Sequence, residues 1–284
     1  MGHHVRAFNY HNQLAFYSEA IRHWLKVNPK FELADPDQAV LLLSSEQVAI
    51  EAIDTVPDVV LIICGFALHQ RAYDLLDSLC LPAALILTES PFLDEEQINI
   101  IRQGHIRLVF TNNKESVLAL REATGTPVEY LPHSFDPTRH YEHDVNGDYR
   151  NDVFFFGTMW PERRRMLYPL KRWARRWRSD WRVSIGGVGQ EVHLAGWSLG
   201  PRAYEIAACG AFQLSDERPE LREIFGDAVA TYVDGADLRR KVDYYLTHEG
   251  EREEMALEAL DLVQSCSFED RAEQILLPTI KEVL

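Results

Sequence analysis

The sequence predicts an α/β protein made of two Rossmann-like halves. Three observations carry this. Short apolar runs alternate with helical patterns up to about residue 126, and a second alternation begins at "DVFFFGT" (152–158). Between them, "PVEYLPHSFDPTRHYEHDVNGDYRND" (127–152) breaks the rhythm with Pro, Asp, His and Gly, as a linker would. Strands alternating with helices imply a parallel sheet covered on both faces.

Taken in order, "HHVRAFNY" (3–10) reads as a strand and "NQLAFYSEAIRHWLKV" (12–27) as an amphipathic helix. "AVLLLS", "DVVLIICG", "AALILTES" and "RLVFTNN" are short apolar runs of buried-strand type. "LHQRAYDLLDSL" and "KESVLALREATG" supply helices between them. In the second half, "DVFFFGT", "WRVSIGG", "GAFQLS" and "AVATYV" read as strands, and "RPELREIFG" and "DLRRKVDYYLTH" as helices. The remainder, from "EREEMALEAL" onward, is mostly helical. The division expected is a first domain over 1–135, a linker over 136–150, a second domain over 151–267, and a C-terminal helix over 268–284 that packs back on the first domain.

The chain of 284 residues is long enough for one large domain or two ordinary ones, and 46% hydrophobic content supports a substantial core. The longest apolar run, "VVLIICGFAL" (59–68), is too short to cross a bilayer, and "MGHHVRAFNYHN" lacks the pattern of a signal peptide. Cys64, Cys80, Cys209 and Cys266 are scattered without metal-ligand spacing, so reduced thiols in a cytoplasmic protein are expected. A net charge of −15 disfavours general nucleic-acid binding. "RRRMLYPLKRWARRWRSDWR" (163–182) opposes that sign, with eight arginines and one lysine against one aspartate. Met166, Leu170, Trp173 and Trp177 fall at helical spacing, which suits a buried stripe with a solvated basic face. The alternative is a platform for a polyanionic acceptor.

"SLGPRAYEIAACGAFQLSD" (198–216) holds the densest chemistry. Pro201 suits the first turn of a helix, and Gly210 suits its end. At about 100° per residue, Ala203, Ile206 and Ala207 share the face expected to pack on the sheet, and Arg202, Glu205, Ala208 and Cys209 share the other. A helix N-terminus after a Ser-Leu-Gly turn attracts phosphate oxygens. Glu205, one turn further in, is placed to accept ribose hydroxyls. An ordinary surface pair between Arg202 and Glu205 fits the same letters.

This block, continued by "RPELREIFG" and "VDGADLRRKVDYYLTHEGER", resembles the C-terminal domain of the CgeB-like (spore maturation protein type) glycosyltransferases. The likeness extends back through "VFFFGTMWPERRRML", "YLPHSFDP" and "LTESPF", and so covers most of the chain. It implies the GT-B fold, in which two Rossmann domains face each other across a cleft, the second holding a nucleotide-sugar donor and the first mainly the acceptor. By position, Glu205 would bind the ribose, and Ser198, Gly200 and Arg202 would lie beside the diphosphate. Gly157 and Thr158 would form a strand-end loop approaching the donor, with Arg163 adding positive charge. Glu89, in "TESP" (88–91), would face the cleft as acceptor contact or general base; a helix-capping acid before Pro91 is the other reading.

Three departures from the family pattern stand out. "GHHVRAF" corresponds to a second strand, so the N-terminal domain is expected to be shortened. Few residues separate "SIGGVG" from "GWSLGPRAYE", where another strand and helix are expected. Trp197 stands eight residues before Glu205, where related retaining enzymes often carry a second glutamate, which leaves the stereochemical outcome open.

The function expected is sugar transfer from a nucleotide-sugar co-substrate to an unknown acceptor, without metal or other cofactor. Helix-end N–H groups and arginines would stabilise the leaving diphosphate, and Glu89 would accept the hydroxyl proton. "DPD" (35–37) matches a metal-binding Asp-x-Asp in letters only, since its central proline marks a turn. A non-catalytic nucleotide-sugar-binding or interaction protein is the alternative, and a nucleic-acid-modifying transferase a weaker one. His133 and the other histidines are expected to be solvated or core residues.

Overall fold

The computed structural model describes residues 2–143, 153–156, 165, 167, 183–186 and 197–284. Two compact units divide the chain, one formed by Met1–Leu131 with Glu273–Leu284 and the other by Pro132–Ala272.

The first unit is built on a four-stranded parallel sheet: β1 (Val60–Ile63), β2 (Ala83–Leu87), β3 (Leu108–Thr111) and β4 (Val128–Tyr130), paired in sequence order. Its register is fixed by Ile62 opposite Leu85, Leu85 opposite Val109, and Val109 opposite Val128. The crossovers are helices α3 (Gln70–Ser78), α4 (Asp94–Gln103) and α5 (Ser116–Thr124). One face of the sheet buries Ile62, Leu85, Val109 and Val128 against Tyr73, Leu76, Ile101 and Leu120. The other buries Ala84, Leu108 and Phe110, with Leu131, Ile275, Leu276 and Ile280 packed over them. At the β1 edge that second face is open, leaving Ile63 66% exposed.

Two sequence expectations fail ahead of β1. Residues 3–9 of "HHVRAFNY" are not a strand. Asn9 instead caps helix α1 (Tyr10–Val27) by accepting from the Asn12 N–H. "AVLLLS" lies inside helix α2 (Pro36–Thr55). Pro36 opens that helix, Asp35 caps it by accepting from the Gln38 N–H, and no breaker follows until Thr55. Ser45, buried in α2, bonds the Tyr10 hydroxyl and accepts from the His69 N–H, joining α1, α2 and the loop after β1. A short apolar run fits a strand or a helix, and here the cap and length decided. A third difference lies within 127–152: Val128–Tyr130 is the last strand of the first sheet rather than part of a linker. Pro127 precedes it and offers only its carbonyl, accepting from the Val109 N–H.

In the second unit, β5 (Val153–Phe156) pairs in parallel with β6 (Val183–Gly186), and β7 (Leu214–Asp216) with β8 (Ala230–Tyr232). Helices α6 (Pro201–Ala208), α7 (Pro219–Phe225), α8 (Gly235–Thr247) and α9 (Glu249–Val263) follow. Their core gathers Tyr204, Ala207, Leu221, Phe225, Val229, Ala259 and Val263. Leu167 is buried against Leu238 and Val242. Met166, Leu170, Trp173 and Trp177, the expected buried stripe of the Arg/Trp segment, lie outside the described residues. A parallel bridge joins Phe135 to Ser267, so 132–135, expected with the first domain, group with the second. Ser267 and Asp270 form a reciprocal cap on α10 (Phe268–Arg271). A single π-helical turn, Ala272–Leu276, then leads into α11 (Leu277–Val283).

Candidate functional site

Four of the sequence-predicted residues come together on one short stretch of the second unit. Ser198 is half-buried in the turn before α6, Gly200 is its N-cap, and Arg202 and Glu205 lie in its first and second turns. Gly200 brings no side chain to the helix end, and Pro201 has no N–H to satisfy. Gly210 takes the left-handed conformation after the last turn, with φ +65°, as a stop signal requires.

The buried stripe of α6 differs from the expected one. Ala203, Tyr204, Ala207 and Ala208 are buried, while Ile206 is only half-buried. The helix packs on α9 rather than on a sheet alone, and this rotates Ala208 inward. Glu205 stays on the outer side. Its carboxylate is 22% exposed, and Arg202 Nη1 donates to Oε2 over 2.5 Å.

Among the described residues, two histidines also interact with Glu205. His140 Nε2 stands 3.9 Å from Glu205 Oε1, with its ring 27% exposed. Its Nδ1 accepts from the Asp136 N–H at 3.0 Å, which places the neutral ring's hydrogen on Nε2. Asp136 is itself fixed, because its Oδ1 accepts from both the N–H and the hydroxyl of Thr138. His133 also feels the Glu205 charge: burial pushes its pKa down, and Glu205 partly opposes this. Burial first, then Glu205, pushes the Cys209 thiol up.

Beneath the turn lies a residue that sequence reasoning missed. Glu220, on α7, is 1% exposed. Its Oε1 accepts from the Tyr204 hydroxyl at 2.6 Å, and its Oε2 accepts from the Leu199 N–H. The Glu220 N–H returns to the Trp197 carbonyl at 3.3 Å. Arg218 adds a bond from Nη1 to the Ser198 carbonyl while pairing with Asp216. The turn 197–200 is therefore held from below at three successive residues. A glutamate after proline in a first helical turn reads as an ordinary dipole partner, so the letters carry no sign of burial. His140 was missed for another reason. The Asp-x-Thr turn that orients it is legible, but its distant neighbour is not.

Glu89 belongs to the first unit, just beyond the C-terminal end of β2, and is exposed. Its N–H donates to Gln97 Oε1, and Gln97, wholly buried, also bonds Ser90 and Asp94. The strand-end position is the usual place for ligands in open α/β sheets. Gly157, Thr158 and Arg163 lie outside the described residues. Among the described residues no group of three or more His, Cys, Asp or Glu is placed to hold a metal ion, and no helix is long and apolar enough to cross a membrane.

Residues 142–277 match the family model described as glycosyl transferase-like, a span that includes α6 and α7. No curated protein matches the chain. Among solved structures, trehalose-6-phosphate synthase OtsA is similar with a TM-score of 0.61 at 12% identity, over 97% of this chain and 83% of that one. Sucrose-phosphate synthase from Thermosynechococcus elongatus gives 0.59 at 11% identity, over 86% of this chain and 78% of that one. HepE from Anabaena, solved in complex with UDP, gives 0.51 at 13% identity, over 84% and 82%. Fold and family match together support a transferase enzyme: the chain has the α/β fold of GT-B glycosyltransferases, and its residues 142–277 are glycosyl transferase-like.

Proposed function

We propose that the protein transfers a sugar from a nucleoside-diphosphate sugar to an acceptor hydroxyl, with the donor bound at the turn 197–200 and helix α6. The observation that carries this is the Glu205 carboxylate. It sits one turn inside a helix whose approach is fixed by Glu220 and Arg218, within the span of the glycosyl transferase-like match. In this reading Glu205 takes the ribose, and Ser198, Gly200 and Arg202 meet the diphosphate. Gly157, Thr158 and Arg163 are assigned to the same donor site. The developing charge on the leaving diphosphate is met by the helix end and by arginine, which needs no metal. Glu89 is the candidate base for the acceptor proton. Kinship with the CgeB-like transferases in particular, and a cytoplasmic location, belong to the same proposal.

Arg202 holds Glu205 in the structure, so the carboxylate is oriented and partly desolvated before any donor arrives. A surface pair of this kind contributes at most about 1 kcal/mol to stability. Hydrogen bonds from two ribose hydroxyls to a carboxylate are worth about 1.5–3 kcal/mol each. Glu205→Gln should then weaken donor binding at least about tenfold while the ligand-free melting point barely moves. A thermal-shift panel of nucleotide-sugars is the direct test, since a ligand at about 100 times its Kd stabilises by roughly 2.7 kcal/mol. No shift with any member would remove the donor site. A shift without product would make the chain a nucleotide-sugar-binding protein.

A further inference from the structure

We propose that His140 and Glu205 together read one ribose hydroxyl of the donor, His140 as hydrogen-bond donor and Glu205 as acceptor. The inference rests on the donor-site reading above and adds a residue to it.

A hydroxyl both donates and accepts, so a site that selects for one supplies a partner of each kind. Glu205 is acceptor-only when ionised. His140 is oriented as the matching donor. The Asp136 N–H occupies Nδ1 at 3.0 Å, so Nε2 carries the hydrogen and faces Glu205 Oε1. The 3.9 Å between those two atoms is too long for a direct hydrogen bond. It is a gap one oxygen can bridge: two bonds of about 2.8 Å across it meet near a right angle, which a small side-chain movement opens toward the tetrahedral preference.

The surroundings fit a preset reader rather than a chance approach. Residues 136–140 form a closed turn, with the His140 N–H on the Asp136 carbonyl at 2.8 Å and Thr138 clasping the Asp136 carboxylate. Arg139 stands 3.4 Å from the second Asp136 oxygen. Arg202 occupies Oε2 of Glu205, so Oε1 is the oxygen turned to His140. Among the described residues, His133 and Cys209 also feel the Glu205 charge.

The test separates the two nitrogens of the ring. In His140→Asn the amide can still accept at the Nδ1 position and keep the loop bond, but it has nothing at Nε2. In His140→Gln the amide nitrogen reaches the Nε2 position. The probes are UDP, GDP, ADP and CDP, then the 2′-deoxy and 3′-deoxy forms of the tightest binder, measured by titration calorimetry on the whole chain. Wild type should prefer the ribonucleotide over one of the two deoxy forms by about tenfold, and His140→Asn should narrow that preference to about threefold or less. His140→Gln should restore it, with melting points unchanged throughout. A His140→Asn protein that keeps the full preference, or that weakens ribo and deoxy forms equally, overturns the inference. Glu205→Gln provides the separate check. If it leaves nucleotide affinity intact, the donor site itself is wrong and the inference falls with it. If it weakens binding while His140→Asn keeps wild-type discrimination, only the role of His140 is lost.

Discussion

The bond between Tyr204 and Glu220 should be measurable as a coupling energy, because both side chains are fully buried and meet over 2.6 Å. Tyr204→Phe removes only the hydroxyl. A hydrogen bond to a charged group is worth about 1.5–3 kcal/mol, so this single change should cost about 2 kcal/mol. Glu220→Gln keeps the shape but can present one acceptor only, and Glu220 serves donors on both oxygens, Tyr204 and the Leu199 N–H. The amide must aim its NH₂ at one of them. One charge-assisted bond is lost and a buried donor is set against another, for a cost of about 3–5 kcal/mol. In the double variant no hydroxyl on the aromatic ring opposes the amide, so the two losses should fall short of their sum by about 1–2 kcal/mol. Urea denaturation of the four proteins, followed by fluorescence, gives the cycle directly. Additivity within about 0.5 kcal/mol would refute the reasoning, because the two groups would then not be sharing a bond. Glu220→Gln should also weaken donor binding, through the turn 197–200 that it holds.

Sugar transfer should survive EDTA; loss of turnover that Mn²⁺ or Mg²⁺ restores would overturn the metal-free reading. Acid should destabilise the second unit in steps. His133 is held below its ordinary value by burial, so its contribution is complete above about pH 6.5 and falls as the pH drops below that toward the folded value. His133→Gln should flatten the fall of the urea midpoint as the pH drops below about 6.5, and an unchanged slope there would sink the assignment. Further down, Asp270 is held low by its bonds to Ser267, and Asp136 by Thr138, so their contributions disappear as the pH falls past the usual carboxylate range. Gly65→Ala should cost at least about 1–3 kcal/mol, since Gly65 has φ +80° and an added Cβ would stand 2.9 Å from the Tyr73 hydroxyl. A neutral result by thermal melting would contradict that geometry.

Much of the fold was legible because strand and helix patterns agreed with their punctuation. "AALIL" became β2, and "RPELREIFG" became α7 between its proline and its glycine. The failure at "AVLLLS" has a plain cause: an apolar run has no intrinsic period when nearly every position is apolar. Its letters suit a strand, but a cap a few residues upstream and a long unbroken tail make it a helix. Within the candidate site, the α6 carboxylate and its neighbours could be singled out because they lie within one short motif. Glu220 and His140 were not, because each acts on residues 16 to 65 positions away in sequence, and charge identity alone says nothing of distant contacts. The inward turn of Ala208 was likewise set by α9, a packing partner outside the motif.

The parallel bridge between Phe135 and Ser267, reinforced by the Phe268 N–H on the Phe135 carbonyl, ties the segment that enters the second unit to the one that leaves it. On the other side of each crossing, Leu131 and Ile275 pack on the same apolar cluster of the first unit. The second unit is thus topologically an insert, spliced into its host through two neighbouring ends. Such an arrangement can be cut at its two junctions, 131/132 and 272/273, with each body keeping its own core. Joining 131 to 273 would close the first unit over its own C-terminal helix, and 132–272 would leave as one continuous piece with its ends already stitched.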